Sequence, residues 1–156
     1  MPTHQTKRLV AHSAEQMFDL VADVEKYPRF VPLCERLKVR SRREEDGREV
    51  LLADMTVAYA LFRETFTSQV TLDRAALTIV VDYINGPFRQ LHNRWHFTPT
   101  GPDSCEVDFF ISWEMRSRTL AMVAGAVFER AFRTFAQAFE ARAHRIYGSA
   151  PAPAAI

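Results

Sequence analysis

Four polar side chains fall on the apolar phase of strand-like segments. Ser68 shares a phase with Phe66 and Val70, and Asn93 sits between Leu91 and Trp95. Tyr83 follows Ile79 and Val81, and Glu64 lies between Phe62 and Phe66. Alternate residues of a strand share a face, so all four are directed toward the expected interior. A hydroxyl, an amide and a phenol there can donate hydrogen bonds to a ligand's polar group. The same positions also suit a solvated strand end or a satisfied core hydrogen bond. Glu64 is costly to bury without a partner, and with Asn93 and Tyr83 it has the groups for acid–base work. His92 and His96 carry the spacing of a helical metal pair, but four residues of strand separate them by roughly 13 Å, too far for one ion. They are expected to face outward. Cys34 has no neighbouring His to activate it as a nucleophile. The chain holds neither a P-loop nor a GxGxxG pattern.

The elements that must position these groups are legible in order. Residues 4–11 read as a strand. Ser13-Ala14-Glu15-Gln16 has capping-box form and opens a short helix carrying Met17, Leu20, Val21 and Val24 on its apolar face. Tyr27-Pro28 interrupts the chain, and a second helical turn is expected over Phe30–Leu33. Strands follow at 35–43, 48–58, 62–72, 77–83, 90–98 and 105–114. Asp46-Gly47 marks the first hairpin. The last element is a helix from Ser117 to about Tyr147, closed by Gly148. Phe128, Phe132, Phe135 and Phe139 stand four, three and four apart, in one stripe that Leu120, Val123, Val127 and Ala131 widen. That stripe is either the core itself or one wall of a cavity. Gly125 inside the helix suggests close approach by a neighbour or ligand. Strands in series with segregated helices predict an α+β domain, a curved antiparallel sheet wrapped around the last helix.

Composition bounds the class. At 156 residues with 47% hydrophobic content, the chain makes one domain. Residues 1–148 are assigned to it and 149–156 to a disordered Ala/Pro tail. No apolar run approaches the ~20 residues a bilayer span needs, and Met1–Val10 lacks the apolar region of a secretory signal. A cytoplasmic protein, peripheral to the inner membrane at most, is expected. Two distant cysteines, Cys34 and Cys105, suit reduced thiols better than a framework, though one bridge between them remains open. The net charge of +1 gives no global pull toward nucleic acid or acidic lipid. Locally, Arg36, Lys38, Arg40 and Arg42 alternate along one strand, forming either a basic strip for phosphates or a solvated face.

Several motifs carry a further resemblance. They are the segment Val24-Glu25-Lys26-Tyr27-Pro28-Arg29-Phe30-Val31-Pro32-Leu33-Cys34, then Phe66-Thr67-Ser68-Gln69-Val70, then Gly86-Pro87-Phe88 with Leu91 and Trp95, and Ala138-Phe139-Glu140-Ala141-Arg142-Ala143. In this order they resemble the coenzyme Q-binding protein family of the START-like (polyketide cyclase/dehydrase) superfamily, which includes the ribosome-association toxin RatA. The resemblance spans about residues 3–147. Leu33 departs from it, standing where an aromatic is expected. The resemblance implies a helix-grip fold, a hydrophobic cavity, isoprenoid quinone binding and support of respiration, with no catalytic residue.

A quinone has an apolar body and two carbonyls, so its site needs an apolar tunnel and one or two donors. On the implied fold the ligand, ubiquinone, lies between the sheet and the Phe128–Phe139 stripe, with Phe66, Trp95 and Phe109 on the sheet side. Phe30, Pro32 and Phe88 are expected to gate the mouth, and Ser68, Asn93 or Tyr83 to meet the carbonyls. No covalent or metal cofactor is expected. Partners would be respiratory-chain complexes or the inner-membrane surface. Two rivals stand beside this non-catalytic carrier. One is a toxin on the large ribosomal subunit that works through the basic strip. The other is a cyclase or dehydratase that depends on Glu64.

Overall fold

In the computed structural model, which describes residues 3–148, the expected tail at 149–156 lies outside the described residues. The chain runs β1 (Thr3–Val10), α1 (Ala14–Ala22), a 3-10 helix (Val24–Arg29), β2 (Cys34–Glu45), β3 (Arg48–Tyr59), β4 (Phe62–Asp73), β5 (Thr78–Asn85), β6 (Phe88–Gly101), β7 (Ser104–Met115) and α2 (Arg118–Tyr147). The seven strands form one antiparallel sheet in the order β1-β7-β6-β5-β4-β3-β2. Each strand from β2 to β7 pairs with its sequence neighbour, and β1 closes the far edge beside β7. The α+β expectation holds: a helix-grip arrangement with the long last helix laid across the sheet.

Local chemistry explains most boundaries. Ser13 Oγ accepts the Gln16 amide and Gln16 returns a bond to the Ser13 amide, each at 3.1 Å, completing the capping box. Asp46 and Gly47 both have positive φ, as a two-residue hairpin requires. Gly86 has φ +146, and a Cβ there would stand 2.4 Å from Phe66 Cβ, so the Asn85–Phe88 turn admits only glycine at that point. Ser117 Oγ caps α2 by accepting the Leu120 amide at 3.1 Å.

Four expectations need correction. The helical turn expected over Phe30–Leu33 forms earlier, as the 3-10 helix Val24–Arg29 with Pro28 inside it. A 3-10 turn of one or two residues' depth tolerates the missing proline amide near its end. Gly125 meets nothing closer than Ala121 Cβ at 3.9 Å, so close approach belongs to Gly86 instead. Val123 does not widen the aromatic stripe; it is 64% exposed, because the sheet does not reach the start of α2. The basic strip also divides. A register shift between Val39 and Ser41 turns the strand, so Arg42 falls opposite buried Leu51 while Lys38 pairs with Asp54 on the outer face. Arg42 is held there by Glu25 and Glu49.

The core lies between sheet and helices. Met17, Phe18 and Val21 of α1 are buried, with Phe18 edge-on to Phe97 at 6.2 Å. Phe97, Phe109, Ile111 and Trp113 point inward from β6 and β7. α2 touches β7, β1 and α1, so it seats firmly on one half of the sheet and spans the other half, β2 to β5, at a distance.

Candidate functional site

The space under the helix encloses a cavity that reaches from β2 across to β7. Its space for the centre of a water-sized sphere is ≈ 80 Å³, several times the ~10–15 Å³ one water needs. Phe128, Phe132, Phe135 and Phe139 form the helix wall. The sheet wall is built from inward positions of β2 to β7, with Met55, Phe66, Val70, Leu91, Trp95 and Ile111 among them. The third side is the segment around the 3-10 helix, through Val24, Tyr27, Val31, Pro32 and Leu33. The void has a simple cause: Ala53 of β3 and Ala131 of α2 both face it, and neither side chain is long enough to fill it.

Polar atoms in this lining are few. Asn93 Nδ2 donates to the Phe110 carbonyl at 2.9 Å, and its Oδ1 accepts Trp95 Nε1 at 3.1 Å. The amide is therefore engaged in orienting the Trp95 ring. Tyr27 donates its hydroxyl to the Val21 carbonyl at 2.5 Å, and burial holds that phenol neutral far above its ordinary range. Ser68 is different. It is buried, it lines the cavity, and its Oγ has no hydrogen-bond partner. A buried hydroxyl without a partner costs about 1–3 kcal/mol. A ligand group seated beside it would remove that cost.

Nine residues expected from sequence do line the cavity: Pro32, Phe66, Ser68, Asn93, Trp95, Phe128, Phe132, Phe135 and Phe139. Four do not. Phe88 is 2% exposed and packs on Phe66, Phe128 and Phe132, so it is core rather than a gate. Tyr83 stands at the Gly86 turn, where its hydroxyl oxygen accepts the Phe88 amide at 3.0 Å. Phe109 is fully buried behind Trp95, at 4.7 Å between ring centroids. Phe30 braces Phe139 from outside at 5.0 Å and carries the Arg142 guanidinium at 5.3 Å. Glu64 is half-exposed at a strand end and outside the lining. The positions missed from sequence include Ala53, Met55 and Val57, whose period-two spacing in β3 was the available signal.

Both cysteines are free and buried. Burial pushes the Cys34 thiol up to about 12 and the Cys105 thiol up to about 11, so neither is a thiolate near neutrality. His92 bonds Asp82 at 3.1 Å on the outer face. Two clasps absent from the sequence reading tie α2 down. Arg8 holds Glu140 at 2.6 and 3.0 Å, and buried His12 meets His144 at 2.9 Å.

The site this fold builds is an apolar cavity under a gripping helix, with one unpartnered hydroxyl in its lining. The chain belongs to the polyketide cyclase / dehydrase and lipid transport family, whose model matches residues 10–140. It is 33% identical to the ribosome association toxin RatA of Escherichia coli over 96% of this chain and 91% of that protein. It is also 36% identical to the mitochondrial coenzyme Q-binding protein of Drosophila melanogaster, over 79% of this chain but only 50% of that longer protein. An 18 kDa protein from Caulobacter crescentus, 32% identical, superimposes with TM-score 0.75 over 96% of this chain and 100% of that one. The Zhui aromatase/cyclase of a Streptomyces species reaches TM-score 0.77 over 95% and 98% at 19% identity, a likeness of fold. The Escherichia coli and Drosophila relatives are named as a toxin and a binding protein, whereas the structural neighbours include aromatase/cyclases.

Proposed function

We propose that the protein binds an isoprenoid quinone, ubiquinone, in this cavity without chemistry on it, as a carrier or chaperone for respiratory electron transport. The observation that carries the reading is Ser68: a single unpartnered hydroxyl in a lining otherwise apolar or internally satisfied. A quinone carbonyl is an acceptor and would take that hydrogen bond, while its ring and first isoprene units would meet Trp95 and the phenylalanine stripe. Shielding a tail that water rejects is the driving force. The coenzyme Q-binding relatives support the ligand class. A cavity of this size takes a ring-sized group, so a long tail would lie toward or beyond the opening.

The test is extraction of detergent-free protein from a respiring host, followed by mass spectrometry for stoichiometric quinone. Ser68→Ala should weaken binding of added quinone roughly tenfold, and Phe135→Asp should abolish retention. Quinone held equally by both variants would place it elsewhere and sink the reading.

A second reading has its own support in the RatA relatives, which match over nearly the whole of both chains. In it the outward cations Arg36 and Lys38 of β2 meet ribosomal RNA. Salt-sensitive co-sedimentation with the large subunit, lost in a double Arg36→Glu, Lys38→Glu variant, would favour it. The enzyme reading relies on Glu64, which lies outside the cavity lining, and only turnover of a polyketide substrate that is lost in Glu64→Gln would support it.

A further inference from the structure

Strands β3, β5 and β7 end, and β4 and β6 begin, at the same end of the sheet, where α2 also starts. Of the eight large hydrophobic side chains exposed among the described residues, five collect there: Tyr59, Leu61, Ile84, Met122 and Val123. Leu61 is fully exposed and Met122 is 86% exposed. Ring contacts from Phe62 to Phe128 at 5.6 Å and from Phe88 to Phe128 at 5.3 Å tie hairpin, turn and helix into one surface. Phe128 also lines the cavity, so this end adjoins the binding site.

Folding does not account for these residues. β3 and β4 are joined by a two-residue tip, Ala60–Leu61, with Ala60 at φ +51. A tip with positive φ at its first residue alone favours Gly there and a polar residue after it, which bonds to water. Here the tip is wholly apolar. The start of α2 behaves likewise. Between Arg118 and Glu129 lie ten residues without a charge, and Ala121, Met122, Val123 and Ala126 among them face solvent. A helix apolar all round is normally covered.

The charges name the cover. Arg63, Arg89, Arg116 and Arg118 surround this end; Arg63 and Arg89 are held by Glu35 and Glu114, Glu64 is the further carboxylate near Tyr83, and Arg116 and Arg118 are exposed and outside the ion pairs of the described residues. Apolar tips from three separate segments, ringed by arginines with long apolar stems, match an interfacial membrane contact, in which side chains enter the acyl boundary and guanidiniums stay with the phosphates. A protein partner would need separate pockets for the hairpin tip and the helix.

We propose that the end formed by the Ala60–Leu61 tip, the Ile84 turn and the first turns of α2 docks on an anionic lipid bilayer. The purpose of docking rests on the carrier reading, since a quinone is collected from membrane, but its evidence comes from different residues.

The experiment is flotation of the full chain with quinone-free vesicles of phosphatidylcholine, with and without phosphatidylglycerol. The wild type should float with the anionic vesicles and less with phosphatidylcholine alone. Leu61→Asp and Met122→Asp should each reduce flotation at least about tenfold, with unchanged circular dichroism and unchanged quinone content. A double Arg116→Gln, Arg118→Gln variant should lose the preference for anionic lipid. Failure of the wild type to float would overturn the proposal. So would variants that float like wild type, or a dimer in ultracentrifugation that Met122→Asp dissolves without any flotation. Flotation of protein that neither carries quinone nor takes up added quinone would leave docking standing and remove the carrier reading alone.

Discussion

Phe139 and Met122 belong to the same helix, yet their surroundings are opposite. Around Phe139 the helix is held from every side: Tyr27 at 5.1 Å, Phe30 at 5.0 Å and Trp95 at 4.9 Å between ring centroids. Over the two turns that follow come the Arg8–Glu140 pair, the His12–His144 contact and the Tyr147 hydroxyl bond to the Gln16 carbonyl at 3.2 Å. Around Met122 there is the Ser117 cap, Ala124 buried beneath, and solvent. The difference teaches where this fold keeps its stability. The last four turns of α2 anchor the grip on α1, β1 and the 3-10 helix. The first turns are left for surface chemistry, where loss of packing costs little. The cavity lies between the two regimes, lined from Phe128 to Phe139.

Replacing Phe139 by Ala should break the anchored half most severely. Truncating a fully buried Phe costs about 3–5 kcal/mol, or a fall in Tm of about 6–20 °C in a domain of this size. Thermal unfolding measures it, and a loss under about 1 kcal/mol would show that the anchor lies elsewhere. Arg8→Ala should follow at about 1–3 kcal/mol, because it leaves Glu140 partly buried with its charge-assisted bonds removed. Denaturant titration of Arg8→Ala, Glu140→Gln and the double variant would isolate the pair.

The histidine contact sharpens the comparison through pH. Burial, and secondarily the neighbouring His144, hold the His12 imidazole below its ordinary range, while Glu140 opposes this. Its folded pKa thus lies below its unfolded one, so the unfolded chain binds protons first. The stability this neutral histidine contributes is present above pH ~6.5 and is lost as pH falls through the folded value. His4 is lowered too, mainly by burial and then by Arg133, and adds in the same direction. Tm should drop between pH 7 and 5, and less so in His12→Gln. An equal drop in that variant would assign the effect to His4 or to carboxylates.

The smallest effects belong to the open end. Replacing Ala60–Leu61 by Gly-Asn should raise stability by about 1 kcal/mol, since Ala at positive φ is strained and Gly is not. The same change should lower vesicle flotation, separating folding from surface function at one tip. Met122→Ser should leave Tm within the range set by about 0.5 kcal/mol. A larger drop would mean that the start of α2 is packed after all.

Sequence pattern alone placed seven strands, a capped short helix and a long terminal helix, because period-two alternation, the Ser13–Gln16 box and the 3.6-residue phenylalanine stripe are local signals. It also found nine of the lining residues, since inward phase on a strand or helix is set by the element itself. What it did not decide was depth. Phe88 and Phe109 share the phase of true lining residues but lie behind other rings, and only the seating of α2 on β7 and β1 separates core from cavity. Bulge positions were equally hidden: the one between Val39 and Ser41 sends Arg42 to the opposite face from Lys38, and no local motif announces it. Hydrogen-bond satisfaction was the last thing left to tertiary structure. Ser68 and Asn93 were alike as polar residues on apolar phases. The Phe110 carbonyl reaches Asn93 from the neighbouring strand and the Trp95 indole from two residues along its own, whereas nothing reaches Ser68. Partners such as the Phe110 carbonyl are set beside a residue by packing, so the open hydroxyl of the cavity lining became visible only in the folded molecule.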